Sequence, residues 1–146
     1  MVQIKRINQN DLITLQTISF EQFKTESWSK EQYSQAFFDA NYIFLGCYDC
    51  KKLLSFVVAN ENLDDVNILM LATSESNKHN GCAKKLVENL QKYVKDKNKT
   101  LSLEVKENNL PAITLYTKLN FKTVYVRKHY YKDGQNAVIM FYNQKS

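Results

Sequence analysis

Apolar and polar positions follow a period of two over some short runs of this chain and a helical period over others. Val2 and Ile4 alternate with polar neighbours, with Ile7 out of phase, and predict a short first strand. Asn8 to Asp11 then supply turn and helix-capping chemistry. Leu12, Leu15, Ile18, Phe20 and Phe23 approximate helical spacing, and Ser29 with Gln32 resembles a capping box that opens a second helix through Ala36 and Phe37. Tyr42 to Tyr48 and Leu53 to Ala59 are β-branched and aromatic runs on either side of a charged turn, a hairpin signature, and Val66 to Ala72 adds a further strand.

The second half changes rhythm. Leu86, Val87, Leu90, Tyr93 and Val94 form one face of a helix from about Asn80 to Lys95, after which Leu101, Leu103 and Val105 alternate as a strand. Pro111 stands early in another helix, with Asn108 or Asn109 as its cap and Ile113, Leu115, Tyr116 and Leu119 inside it. Phe121 to Val126 and Ala137 to Tyr142 close the chain as strands, with Asp133-Gly134 marking a turn between them. The order β α α β β β α β α β β predicts an α/β (α+β) fold, a mixed sheet covered by helices. A length of 146 residues with a single proline fits one domain over residues 1–146.

Composition narrows the setting. With 44% hydrophobic and 24% charged residues the chain reads as a soluble globular protein, and no apolar window reaches membrane-spanning length. The opening MVQIKRINQNDL does not read as a secretory signal, so the expected location is cytoplasmic, with no membrane partner. Cys47 and Cys50 form a C-x-x-C without a second ligand pair; they read as turn cysteines, and no metal is expected. The formal charge of +5 suggests an anionic partner, with nucleic acid, ribosome and phosphorylated cofactor all open. Lys92, Lys95, Lys97 and Lys99 lack the aromatic interleaving of a single-strand binder and read as a solvated face, so direct nucleic-acid binding is not expected.

The candidate chemistry centres on NKHNGCAKKL, residues 77–86. The first amides of a helix lack intrahelical acceptors and carry part of the positive end of its dipole, so an anion fits there. Gly81 lets the backbone approach a phosphate, and Lys78, Lys84 and Lys85 add charge. The stretch has neither the Walker pattern nor the three glycines of a dinucleotide fingerprint. Taken alone it fits an ordinary loop better than a phosphate cradle, since a glycine before a helix is a common signal.

Its context resembles a known family. Lys78-His79-Asn80-Gly81-Cys82-Ala83, after a strand and before a helix, looks like the acyl-CoA loop [QR]-x-x-G-x-[GA] of the GNAT (Gcn5-related) N-acetyltransferases. Ser102-Leu103-Glu104-Val105, Asn108-Asn109, Ala112-Ile113, Leu115-Tyr116, Leu119-Asn120-Phe121, Arg127 to Tyr131 and Asp133-Gly134 to Met140 are similar to motifs of the bacterial ribosomal-protein-alanine N-acetyltransferases within it. Trp28-Ser29 also looks like the PWS that precedes their second helix. The similarity is strong over about residues 66 to 142 and weaker before.

The resemblance implies a GNAT fold with a mixed, mostly antiparallel sheet, and acetyl-CoA as cosubstrate. The implied acceptor is the N-terminal α-amine, alanine first, of a small-subunit ribosomal protein, and the chain would be a monomer or weak dimer. Cofactor contacts fall on Leu69, Leu71, Lys78, His79, Asn80, Gly81, Cys82, Ala83 and Asn109; with Leu69, Met70 and Leu71 all apolar, that strand would contribute backbone groups. Acceptor contacts fall on Trp28, Tyr130 and Tyr131. Glu104 becomes the base, its proton affinity raised by partial burial between Leu103 and Val105, and Tyr116 the acid that protonates the leaving thiolate. Read alone, Glu104 is a solvent-facing strand residue, Tyr116 a core tyrosine, and Asn109 first of all a helix cap.

Two positions depart from the pattern. Lys78 stands for Gln or Arg and lacks their planar geometry, and Asn120 replaces the glycine of LGF but tolerates a left-handed turn. A protein lysine, a polyamine or another small amine remains the alternative acceptor, because loops set that choice. Carboxylates at Glu26, Glu107 or Asp133 would be needed to ease a basic substrate onto a basic enzyme.

Overall fold

The computed structural model describes residues 2–78 and 80–144; His79 lies outside the described residues. Strands β1 (Val2–Arg6), β2 (Tyr42–Asp49), β3 (Lys52–Glu61), β4 (Asp65–Thr73), β5 (Thr100–Lys106), β6 (Phe121–Arg127) and β7 (Ala137–Tyr142) form one sheet in the order β1-β2-β3-β4-β5-β7-β6. Every neighbouring pair is antiparallel except β4 with β5. Four helices cover it: α1 (Leu12–Phe23), α2 (Lys30–Phe37), α3 (Cys82–Lys97) and α4 (Leu110–Lys118). The expected element order and mixed sheet are found, and α3 begins at Cys82 rather than near Asn80.

Each face of the sheet builds its own core. Leu54, Val57 and Ala59 pack on the face of α3 with Leu86, Leu90 and Val94, and Tyr116 of α4 joins that cluster. Leu53, Phe56 and Val58 pack on the other face with Leu15 and Ile18 of α1 and Tyr33 and Ala36 of α2. Central β3 therefore reads as a continuous apolar run, since both its faces are covered. Phe20 corrects the helical stripe of α1: it lies off the buried face of Leu12, Leu15, Ile18 and Ser19 and is 60% exposed.

The cap expected at α2 is present in both directions, with Gln32 N–H donating to Ser29 Oγ and Ser29 N–H to Gln32 Oε1. Asn109, not Asn108, caps α4 by accepting from the amide of Ala112. Cys47 is not a turn residue. It lies inside β2, fully buried, and its thiol donates to Cys82 Sγ across 3.0 Å, while Cys50 alone occupies the turn, at φ 55°.

The feature that positions the site is a split in the sheet. β4 and β5 pair only from Asp65 opposite Thr100 to Ile68 opposite Leu103. Leu69 is then an extra residue on β4, between the pairs Ala59–Ile68 and Val58–Met70, and a bulge of this kind bends its strand. Along its other edge β5 pairs with β7 from Ser102 to Lys106, so beyond Leu103 it is held on that side alone. Beyond Ile68 the two parallel strands diverge and leave a V open through the sheet.

Candidate active site

The V holds a cleft of about 570 Å³, lined by β4 from Ile68 to Thr73, β5 from Leu103 to Val105, the start of α3, and α4. Its β4 wall is a strand edge without a strand partner, so backbone groups face the cleft. Two of them are taken by a side chain: Gln22 of α1 donates from Nε2 to the carbonyl of Leu71 at 3.5 Å and accepts from the amide of Thr73 at 3.2 Å. One primary amide thus occupies the donor–acceptor pair that a neighbouring strand would have used. Leu69, at the bulge, and Leu71 both line the cleft.

At one mouth of the V stands the N-terminus of α3. Gly81 precedes it in the left-handed region at φ 78°, with no side chain capping the helix, so the first amides are open to an anion. Gly81, Cys82, Ala83 and Lys84 line the cleft there, while Asn80 is exposed outside the lining. Cys82 contributes only its backbone, because its side chain is buried against Cys47. Lys78 also lines the cleft, but its ammonium is held 3.0 Å from Glu75, which shares the charge expected for a phosphate.

The two faces of the sheet bring different chemistry to the gap. Tyr116, from α4, is 6% exposed, packs its ring on Phe121 at 5.3 Å, and lines the cleft on the α3 face. Burial pushes its phenol well above the ordinary tyrosine range, and at neutral pH the group is un-ionised. Glu104 lines the cleft from β5. The expected partial burial is not found: strand alternation turns Glu104 away from Leu103 and Val105, and it is exposed. Asn109 reaches the cleft while its side chain serves as the α4 cap.

Beside Glu104 the loops converge. Tyr131 Oη donates to Glu104 Oε2 at 3.4 Å; burial, then the negative charge of Glu104 and this bond, push the Tyr131 phenol up to about 12. Tyr130 is exposed, stacks edge-on with Tyr131 and lies under the Arg127 guanidinium at 5.3 Å. Lys106 binds Glu26 at 2.7 Å and Asp133 at 3.0 Å, which places two of the three anticipated rim carboxylates on one ammonium; the third, Glu107, accepts from Asn136. Trp28 is elsewhere. It packs on Tyr33 at 5.2 Å against the α1–α2 core and is not part of the cleft lining.

Sequence reasoning missed Gln22 and Lys106. A glutamine on an exposed helical position and a lysine at a strand end carry no local signal; only the fold brings Gln22 to the cleft and Lys106 beside Tyr131. Among the described residues no group of three His, Cys, Asp or Glu side chains converges as a metal site, and no helix is long and apolar enough to cross a membrane.

A sheet opened by a bulge, with an uncapped helix N-terminus at one mouth and a carboxylate and a phenol on opposite faces of the gap, is a scaffold for joining two substrates through the sheet. The sequence profile of the acetyltransferase (GNAT) family matches residues 10–121, and the chain belongs to that family. It is similar to the N-alpha-acetyltransferase of Saccharolobus solfataricus, 43% identical over 76 residues, 51% of this chain and 46% of that one. The chain thus matches a little under half the length of this and two other archaeal relatives. The ribosomal protein bS18-alanine N-acetyltransferase of Haemophilus ducreyi is 33% identical over 106 residues, 69% of this chain and 73% of that one.

Among solved structures, the ribosomal-protein-S18-alanine N-acetyltransferase from Escherichia coli superposes with a TM-score of 0.87 at 24% identity, covering 100% of this chain and 99% of that one. Arabidopsis thaliana NAA60 in complex with acetyl-CoA gives 0.87 at 21% identity, covering 97% and 99%. These likenesses establish the GNAT fold.

Proposed function

We propose that this chain transfers an acetyl group from acetyl-CoA to the N-terminal α-amine of a protein, with alanine at the end of a small-subunit ribosomal protein as the first acceptor to try, and that it does so in the cytoplasm. The observation that carries the reading is the V itself. Donor-side features, the free edge of β4 and the amides of α3, open toward one mouth, while Glu104 faces the loops at the other. An acceptor entering beside Glu104 meets a donor lying along β4 without either having to pass the other.

The residues fit acetyl-CoA. Backbone groups of Leu71 and Thr73 match an amide-bearing chain laid along the strand, and the α3 amides with Lys84 and Lys78 suit phosphate. Acetyl-CoA supplies the activated acetyl thioester. Glu104, held by Tyr131, takes the proton from the acceptor nitrogen as that nitrogen bonds the acetyl carbon. Backbone amide near Leu71 stabilises the oxygen as its charge develops. Tyr116 gives its proton to the departing sulfur and is reprotonated as Glu104 releases the proton it accepted, which returns both groups to their starting states. One N–C bond forms and one S–C bond breaks, with no covalent step on the enzyme.

The acceptor side also has the right charge. Lys106 is already matched by Glu26 and Asp133, which leaves the Glu104 carboxylate beside Tyr131 to meet an incoming amine.

The test is calorimetric titration of acetyl-CoA, followed by mass spectrometry of peptides beginning with alanine. Saturable binding with acetylation of the α-amine is expected, and Glu104→Gln and Tyr116→Phe should each lower kcat by about 100-fold while leaving acetyl-CoA binding in place. Unchanged turnover in both variants would remove the assigned roles. Acetylation found only on lysine side chains or small amines would replace the acceptor.

A further inference from the structure

The acceptor side of the V is crossed by a polar bridge that the acetyl-transfer chemistry does not use. Lys106 follows Glu104 by two positions on β5, so both side chains leave the strand on the same face. The Lys106 ammonium lies 2.7 Å from Glu26, in the short turn after α1, and 3.0 Å from Asp133, in the connection between β6 and β7. It also lies over the ring of Tyr131 at 5.1 Å, and Tyr131 holds Glu104. Lys106 is only 23% exposed, against 62% and 52% for its two carboxylate partners, so the ammonium is the centre of the arrangement and the acids its periphery. Among the described residues no other ion pair reaches either Glu26 or Asp133.

We infer that Lys106 is a positioning residue for the acceptor: its ammonium clasps the α1–α2 connection to the β6–β7 connection beside Glu104 and so fixes the width of the entrance through which the amine arrives. The inference rests on the reading of Glu104 as the acceptor-side base. One strand residue ties two separate loops to the strand that carries Glu104, and the same residue braces the tyrosine that orients it. An exposed ion pair by itself contributes little to stability, whereas a three-way network that fixes geometry acts through orientation. Losing it should therefore appear in acceptor binding before it appears in folding.

The experiment compares Lys106→Met and Lys106→Arg with the parent chain. Lys106→Met should raise KM for an alanine-leading peptide roughly tenfold with kcat changed less, and acetyl-CoA affinity should stay within about twofold, because the donor lies at the other mouth. Lys106→Arg, which keeps the charge that ties the two connections together, should restore most of the loss. Amide hydrogen exchange gives a readout independent of turnover: residues 24–27 and 128–136 should both exchange faster in Lys106→Met. An unchanged acceptor KM, or exchange that rises in neither connection, overturns the clasp. A parent chain that binds no acetyl-CoA and acetylates no amine overturns the transferase reading instead, and the exchange measurement still decides whether the loops are tied.

Discussion

Gly81 and Gly46 are required for opposite reasons. At Gly81 the backbone is left-handed, φ 78°, with nothing within 4 Å of where a Cβ would stand. At Gly46 the backbone is ordinary strand, but a Cβ would lie 2.6 Å from Ile7 and Leu53 and 2.7 Å from Tyr48. Gly81→Ala should therefore cost about 1 kcal/mol through backbone conformation, while Gly46→Ala should cost roughly 1–3 kcal/mol through overpacking, both measurable by denaturant unfolding. The two should separate in function, since only Gly81→Ala reshapes the donor loop and should weaken acetyl-CoA binding. Asn120, at φ 73°, does with an asparagine what the related LGF motif does with glycine. Asn120→Gly should leave stability within about 0.5 kcal/mol, and Asn120→Val should lower it by more than 1 kcal/mol.

The far end of α3 is tied to β3 by a polar cluster in place of apolar contact. Lys99 Nζ donates to Glu61 Oε2 and to the carbonyl of Asn62, each at 2.8 Å, and Tyr93 Oη donates to the Glu61 carboxylate. Burial acts to raise the Glu61 pKa, but the bonds from Lys99 and Tyr93 and the nearby lysine charges outweigh it and hold the group below the ordinary 4.5. A lowered folded-state value gives stability that is complete above the unfolded value and disappears as pH falls through the folded one. Glu61→Gln should cost about 1 kcal/mol at pH 7, and the gap to the parent should narrow as pH falls below the ordinary 4.5, as followed by thermal melts.

Lys99 is thus not part of a solvated run, although its sequence neighbours gave no sign of the partner across thirty-eight positions. The caps at Ser29 and Asn109 were legible because capping is local. The bulge at Leu69 was not, because period two and a one-residue slip look alike in an apolar strand, and Trp28, just before the Ser29 cap, packs inward on Tyr33, the fourth residue of α2.

The whole molecule is a sheet that fails to close between β4 and β5, and the cost of that opening is met partly by Gln22. Its amide satisfies Leu71 and Thr73 only while the edge lacks another partner. A ligand laid along β4 must displace it, so the empty chain is stabilised by contacts that the loaded chain exchanges for its own. Acetyl-CoA at 100 times its Kd should stabilise the fold by about 2.7 kcal/mol, a rise in Tm on the order of 10 °C. In Gln22→Ala the empty protein should melt slightly lower and the loaded protein at nearly the parent temperature, because the missing bonds matter only before binding. The acetyl-CoA-induced shift should therefore be larger in the variant, and calorimetry should show tighter binding by about three- to tenfold, the worth of one or two exposed hydrogen bonds. A smaller shift with weaker binding would mean that Gln22 stays in place and contacts the donor, making it part of the donor wall.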